Sequence, residues 1–316
     1  MSRDSFTVGD GEAGHRLDHV LVLRFADRTR SSMGRFIRGG HVTVAGAQAK
    51  PGRVLKAGEV VAIEWPPEPT TEVAGEDIPL EVLYEDEHIL VVVKPAGIVV
   101  HPACGHPSGT LVNALVARLG DVPEGDEPGR PGLVHRLDRG TSGVMVVAKN
   151  ERALVRLQRQ FHARKVEKTY LAVVVGRPDA ASGRIDLALD RSRRDRKKMA
   201  TVREGGREAH TRWRIKERLE GAALLEVDIE TGRTHQIRVH LASAGHAVLG
   251  DRVYGGGRVA SGLAAEVVEL VRSFPRQALH AWRLAFTHPA TGERLAFEAP
   301  LPADMVALIA ALKRRT

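Results

Sequence analysis

The chain has 316 residues, 43% hydrophobic and 27% charged, an ordinary globular composition that excludes a disordered polymer. At roughly 100–200 residues per domain it holds about two domains. Lys and Arg number 47 against 39 Asp and Glu, a net charge of +8 that favours a polyanionic partner.

Arginine supplies 37 of the cations, which fits a compositional bias of the source better than 37 separate phosphate contacts. The single cysteine, Cys104, excludes an intramolecular disulfide framework and any multi-cysteine metal site, and it fits a reducing, cytoplasmic compartment. Cys104 lies in a Pro/Gly-rich loop with no motif that would orient a base toward it, so it is discounted as a nucleophile. The longest apolar runs, such as residues 89–93, are strand-sized and far short of the ~18 residues of a spanning helix. No membrane contact is expected, and the first residues do not read as a signal peptide.

In chain order, residues 1–14 are aperiodic and read as a flexible tail. Leu17, Val20 and Leu21 have helical spacing, and a second helix runs through Met33, Phe36 and Ile37 with Ser31 or Ser32 as its cap. Gly39 and Gly40 stop it. Residues 41–44 and 60–63 read as short strands. Residues 16–65 carry nine Lys/Arg and four acids, then residues 66–88 carry eight acids and no Lys or Arg. With three prolines in 66–69, that shift marks a solvated connector and a domain boundary.

The remainder alternates strands (89–93, 144–148, 166–175, 213–215, 224–229) and helices (111–119, one through Leu154, Leu157 and Phe161, and 236–244). A last helix starts at Pro302 and runs through Met305, Leu308, Ile309 and Leu312. There is no repeat and no regular βαβ period. The class expected is α+β with a mixed, mainly antiparallel sheet and a central cleft.

Three segments carry chemistry. Residues 132–143, GLVHRLDRGTSG, pack a carboxylate, two arginines, a histidine and two hydroxyls into a glycine-bent loop between strands. On composition alone, a plain turn in which Asp138 and Ser142 satisfy backbone amides is the stronger reading. Residues 231–241, TGRTHQIRVHL, place Thr234 as an N-cap with Arg238 one turn inside, which makes an anion site. His235 and His240 are five apart with no carboxylates alongside, so a metal site is rejected. In EKTYLAVVVG, residues 167–176, Tyr170 is one of three tyrosines in a chain with 4% aromatics, a weak signal alone. No phosphate-binding loop or dinucleotide fingerprint is present, so no cofactor is expected. Between Asp190 and Lys216, eleven Lys/Arg against four acids suggest a second contact with a long polyanion.

These segments together resemble the RluA family of RNA pseudouridine synthases. HRLDRGTSG at 135–143 resembles its signature, and the likeness extends through KPAGIVVHP (94–102), EKTYLAVVVG (167–176) and TGRTHQIRVHLASAGH (231–246) to GDRVYGG (250–256) and LHAWRLAFTHPATGE (279–293). Residues 15–75, including the acidic connector, are similar to an S4 RNA-binding domain; residues 76–316 are then the catalytic domain. This layout resembles the branch acting on large-subunit ribosomal RNA.

The resemblance implies that uridine becomes pseudouridine: the N1–C1′ bond breaks, the base turns, and C5 bonds to C1′. The base must first be extruded from its stack. It further implies Asp138 as the catalytic carboxylate, attacking C1′ or assisting a glycal route, with Arg238 pairing to it and keeping it charged. Tyr170 matches the aromatic that stacks on the base, its hydroxyl a candidate proton acceptor. Arg136 fills the gap left by the flipped nucleotide, and His135, Thr141, Arg233, His235 and Gln236 position RNA or the loops. Arg28, Arg30, Arg35 and Arg38 of the S4-like part contact the RNA backbone. The expected partner is structured RNA, large-subunit ribosomal RNA or a pre-ribosomal particle, bound by a monomer. The alternatives are transfer RNA or another ribosomal site as target, or a non-catalytic assembly factor.

Overall fold

The computed structural model describes residues 3–25, 28, 30–65, 73–102, 105–120, 122–123, 130–192, 195, 198–202, 204–256 and 265–313. Through residue 65 the elements are β1 (Arg3–Thr7), α1 (Leu17–Arg24), α2 (Arg30–Arg38), β2 (Val42–Val44), β3 (Ala47–Gln48) and β4 (Val60–Glu64). The strands form one antiparallel sheet in the order β1-β4-β2-β3. Leu17 and Leu21 lie four residues apart on α1, and Met33 and Ile37 likewise on α2, so each pair faces one way. They meet Val42, Val44, Val61 and Ile63 in a core separate from that of the rest of the chain.

The flexible tail expected for residues 1–14 is not what forms. β1 pairs with β4 from Arg3↔Glu64 to Thr7↔Val60, and Val8 is buried. The cause is an otherwise open edge of β4, more than 50 residues away, which β1 covers. Helix α2 begins at Arg30, so neither Ser31 nor Ser32 occupies its N-cap position.

The second part comprises β5 (Glu81–Glu85), β6 (Ile89–Lys94), α3 (Leu111–Leu119), β7 (Ser142–Ala148), α4 (Glu151–His162), β8 (Glu167–Val175), β9 (Ser182–Ile185), β10 (Ala188–Arg191), β11 (Met199–Val202), β12 (Thr211–Leu219), β13 (Ala222–Ile229), α5 (Gln236–Ser243), α6 (Ala265–Ser273), β14 (Leu279–Thr287), β15 (Arg294–Glu298) and α7 (Ala303–Leu312). Nine of these strands form one sheet, in the order β5-β6-β7-β14-β8-β13-β12-β9, with β15 also paired to β14. Only the β7–β14 pairing is parallel, so the class is α+β with a mixed, mainly antiparallel sheet.

The sheet is covered on both faces, which explains the continuous apolar runs of β6 and β7. Ile89, Val91, Val144 and Val146 face α4 through Leu154 and Leu157. Leu90, Val92, Met145 and Val147 face the other way, toward Leu111 and Leu115 of α3. Thr110 and Asn113 close a capping box at the start of α3, and the Asn150 side chain caps α4.

The acidic stretch is not a connector throughout: its later part forms β5, a half-exposed edge strand against β6. The proline-rich residues 66–69 and Cys104 lie outside the described residues. Part of the basic stretch folds as the β10–β11 hairpin, while Arg193, Arg194, Arg196 and Lys197 lie outside them.

Candidate active site

The glycine-bent loop enters the sheet at β7, beside β14. A Cβ on Gly143 would sit 2.1 Å from the Ala281 carbonyl oxygen, and its φ is +123°, so only glycine lets the two strands meet here. The end of the loop is clamped from the neighbouring segment. Arg276 Nη1 donates to Gly140 O at 3.0 Å, and Gln277 Nε2 donates to Thr141 Oγ1 at 3.1 Å. Within the loop, Thr141 N–H donates to Asp138 O at 3.0 Å, closing a tight turn. Leu137 packs into the core while Arg136 is exposed.

From the other side comes α5. His235, not Thr234, stands at its N-cap, in a left-handed conformation with φ +57°. Thr234 is displaced because Gln236 does the local wiring. Its Oε1 accepts from Arg233 N–H (3.1 Å) and Thr231 Oγ1 (2.8 Å), and its Nε2 donates to His210 O (2.9 Å) and Thr211 Oγ1 (3.1 Å). Arg238 is thereby brought into the interior. Its Nη1 donates to Asp138 Oδ2 at 3.0 Å, across 100 residues of sequence.

Arg238 also holds Asp251 through Nε and Nη2, and Asp251 takes backbone N–H bonds from Val253 and Tyr254. The Tyr254 ring covers the guanidinium, with Cζ 5.1 Å from its centroid. Burial opposes the Arg238 charge, but the bond to Asp251 and both carboxylate charges outweigh it and raise its pKa. Burial likewise opposes the Asp251 charge, and Arg238 more than offsets it, leaving that carboxyl below its ordinary range.

Tyr170 on β8 completes the cavity, which Asp138, Tyr170, Ile229, His235 and Arg238 line. Burial, with the nearby Asp138 charge, pushes the Tyr170 phenol well above its ordinary pKa, so it stays protonated at neutral pH. His235 Nε2 lies 3.9 Å from Asp138 Oδ2, and its Nδ1 is 2.8 Å from the Tyr254 hydroxyl. Burial lowers its pKa, with Asp138 opposing. The arrangement is a carboxylate held by a buried cation in a pocket with an aromatic wall, suited to acting on one nucleobase and its sugar. Among the described residues no three His, Cys, Asp or Glu side chains converge where a metal ion could be held. His240 is a satisfied interior histidine, bonded to Thr211 Oγ1 and Leu187 O.

Residues 88–243 match the RNA pseudouridylate synthase family model, and residues 15–61 match the S4 domain model. The chain is 47% identical to the ribosomal large subunit pseudouridine synthase D of Xanthomonas campestris pv. campestris, over 97% of this chain and 91% of that protein. The chain belongs to the RNA pseudouridylate synthase family. It is also 44% identical to the synthase D of Pseudomonas aeruginosa, over 95% of this chain and 93% of that protein. Among solved structures it is similar to Human RNA Pseudouridylate Synthase Domain Containing 4, with a TM-score of 0.58 and 27% identity over 73% of this chain and 92% of that one.

The remaining expected site residues of this pseudouridylate synthase divide into two groups. Arg136, Thr141, Arg233 and Gln236 line the cavity, and the bonds of Thr141 and Gln236 described above also hold the two loops. His135 is structural as well: its Nε2 accepts from Val146 N–H at 3.1 Å, and its ring stacks on Phe161 at 4.9 Å. Burial, with Lys168 nearby, pushes its pKa down to about 3.

The S4 arginines also separate. Arg28 is bonded to Glu151 at the start of α4, tying the two parts of the chain together. Arg30 is engaged with Asp18 through two nitrogens, and Asp18 is held down to about 2 by Arg16 and Arg30. Arg35 is half-buried and Arg38 is exposed, both in the last turn of α2.

Asp251, Tyr254, Arg276 and Gln277 were not legible as site residues. The only available signal was that they lie in GDRVYGG and FPRQALHA, outside the loops that look reactive. No helix among the described residues is long and apolar enough to cross a membrane.

Proposed function

We propose that this protein isomerises uridines of large-subunit ribosomal RNA to pseudouridine, with Asp138 as the acting carboxylate. The observation that carries the reading is the Asp138–Arg238 contact at 3.0 Å in a cavity walled by Tyr170, in a chain whose relatives are named for this reaction. A non-catalytic assembly factor would have no use for a buried cation built against one partly exposed carboxylate.

In this reading the target base leaves its stack and enters the cavity. Tyr170 supplies a stacking face worth about 1–3 kcal/mol. Its raised pKa keeps it a neutral phenol, so it presents a hydroxyl to the base and not a phenolate. Arg136, exposed at the mouth, occupies the space the nucleotide leaves. Asp138 acts at the sugar while the N1–C1′ bond breaks, and Arg238 holds it there. The uracil then turns and C5 bonds to C1′; the C5 proton is lost and N1 gains one, so product and substrate are isomers and no electrons are exchanged.

Residues 15–75 serve as the RNA-binding part and residues 76–316 as the catalytic part. The protein acts as a monomer in this reading, and a ribosomal substrate with a lone cysteine supports the cytoplasm. The test is Asp138→Asn with position-resolved pseudouridine mapping of ribosomal and transfer RNA. RNA binding should persist and isomerisation should fall at least a hundredfold; unchanged turnover overturns the proposal, and product confined to transfer RNA overturns its ribosomal part. Deuterium at C2′ separates the two routes, since it slows the reaction only if Asp138 removes that proton.

A further inference from the structure

Beside the cavity of Asp138 lies a larger cleft of about 460 Å³, and Arg136, Tyr170, Ile229 and Arg233 line both. The isomerisation leaves the larger one without a task. Its wall is strongly cationic, with Arg130, Arg164 and Lys168 beside the two shared arginines. Among the described residues the one acid on it is Glu230, bonded through its carboxylate to Arg212 at 2.6 Å, and Arg164 is held by Glu208 at 2.6 Å.

One cation in this wall is buried with few acceptors. Lys168 is 8% exposed, and among the described residues its Nζ reaches one acceptor, Glu230 O at 3.3 Å. An ammonium has three N–H bonds to place; beyond that acceptor it faces the Phe161 ring, with Nζ 5.9 Å from its centroid, so capacity for a further acceptor remains. Burial and the charge of Arg164 push its pKa down to about 8, the cost of a cation with too few partners. A ligand that relieves Lys168 must be an acceptor, and the surrounding charge selects an anion.

The position of the cleft says which anion. Lys168 and Tyr170 are alternate residues of β8, so they share a face and stand about 7 Å apart along the strand. An anion at Lys168 is therefore adjacent to a base on Tyr170, where the backbone of the same strand must run. We propose that this cleft binds the phosphodiester next to the extruded uridine, with Lys168 as the buried ammonium that meets it. The inference rests on the functional reading above and adds a subsite to it.

The test pairs the protein with stem-loop RNA carrying either natural linkages or one uncharged methylphosphonate, placed 5′ or 3′ of the target uridine. For the wild type, one of the two neutral linkages should raise KM about tenfold with kcat little changed. Lys168→Met should show that raised KM on natural RNA and no further penalty on the neutral linkage, and Lys168→Arg should restore most of it. Equal penalties in wild type and Lys168→Met overturn the inference. Should Lys168→Met fail to fold, the wild type still decides, because no penalty at either linkage overturns it as well. Inorganic phosphate should compete with RNA weakly in the wild type and not in Lys168→Met; phosphate binding without any linkage effect overturns the RNA assignment. Wild-type protein that isomerises none of these RNAs overturns the functional reading instead.

Discussion

Arg238 and Asp251 are joined by two hydrogen bonds inside the protein, Nε to Oδ2 at 2.6 Å and Nη2 to Oδ1 at 2.9 Å. This pairing fixes the plane of the guanidinium and directs Nη1 at Asp138. Asp251 is thus a positioning residue that acts through Arg238. Asp251→Asn keeps the shape and removes the charge. It should lower kcat more than tenfold while leaving KM for RNA within a factor of two, as read in steady-state assays. Asp251→Ala leaves a buried cation half-paired and should cost about 3–5 kcal/mol of stability in urea unfolding. An Asp251→Asn protein with full kcat would show that Arg238 needs no second carboxylate to hold its plane.

Lys94 works beneath the same loop. It is fully buried, and its Nζ donates to Pro95 O at 2.8 Å, Ile98 O at 2.9 Å and, more weakly, Arg139 O at 3.4 Å. Burial pushes its pKa down to about 7, with the Asp138 charge opposing. The Arg139 carbonyl belongs to the residue after Asp138, so the ammonium ties the KPAG turn to the reactive loop. Lys94→Met keeps the length and strands the carbonyls. The expected loss is about 1–3 kcal/mol of stability by denaturant titration, together with lower turnover and unchanged RNA affinity.

Much of the sheet was legible because its signals are local. Residues 111–119 have helical spacing and form α3 without correction, and the double-sided burial of β6 and β7 is written as the apolar runs ILVVV and VMVVA. What failed was non-local. RDSFT of β1 is mostly exposed and carries two charges, so nothing in it announces a strand until β4 offers an edge. β5 hides in an acidic run for the same reason: an edge strand can afford charge on its open side. At the site, the loop stood out by composition, but on that ground alone a plain turn was the stronger reading; its contact with Arg238 spans 100 residues and came only from resemblance. Asp251 escaped because its meaning is a guanidinium 13 residues earlier, on the preceding helix, and Thr234 looked like a cap because Gln236 can reach back from inside the helix to supply the oxygen.

Two histidines of the cationic cleft make the fold sensitive to acid. His135 and His101 have pKa values pushed down to about 3 and about 4, both chiefly by burial, with nearby cations adding to it. Unfolded, each titrates near 6.5. Between these values the unfolded chain takes up protons that the folded one refuses, so their contribution is complete above pH 6.5 and is lost as pH falls toward 4. The slope for one such histidine is at most about 1.4 kcal/mol per pH unit. His135→Gln keeps an acceptor for Val146 N–H and removes the titration. Urea unfolding at pH 7 and pH 5 should therefore show a smaller loss in His135→Gln than in the wild type; parallel losses would remove His135 from the account.

The S4 arginines should separate in their response to salt. Arg28 is occupied by Glu151 and Arg30 by Asp18, both within the protein, whereas Arg38 is exposed at the C-terminal end of α2. A side chain that neutralises a phosphate releases a counterion, so its removal lowers the slope of log K against log salt by about 0.7–0.9. Arg38→Ala should lower the slope by roughly that amount in RNA-binding titrations. Arg28→Ala should leave the slope unchanged and act on the junction between the two parts, with a stability effect under about 1 kcal/mol because the pair is partly exposed. Glu151→Gln should reproduce the Arg28→Ala behaviour, since it breaks the same contact from the other side. A slope that drops in Arg28→Ala would mean that RNA displaces Glu151 on binding, and that the junction opens when the substrate arrives.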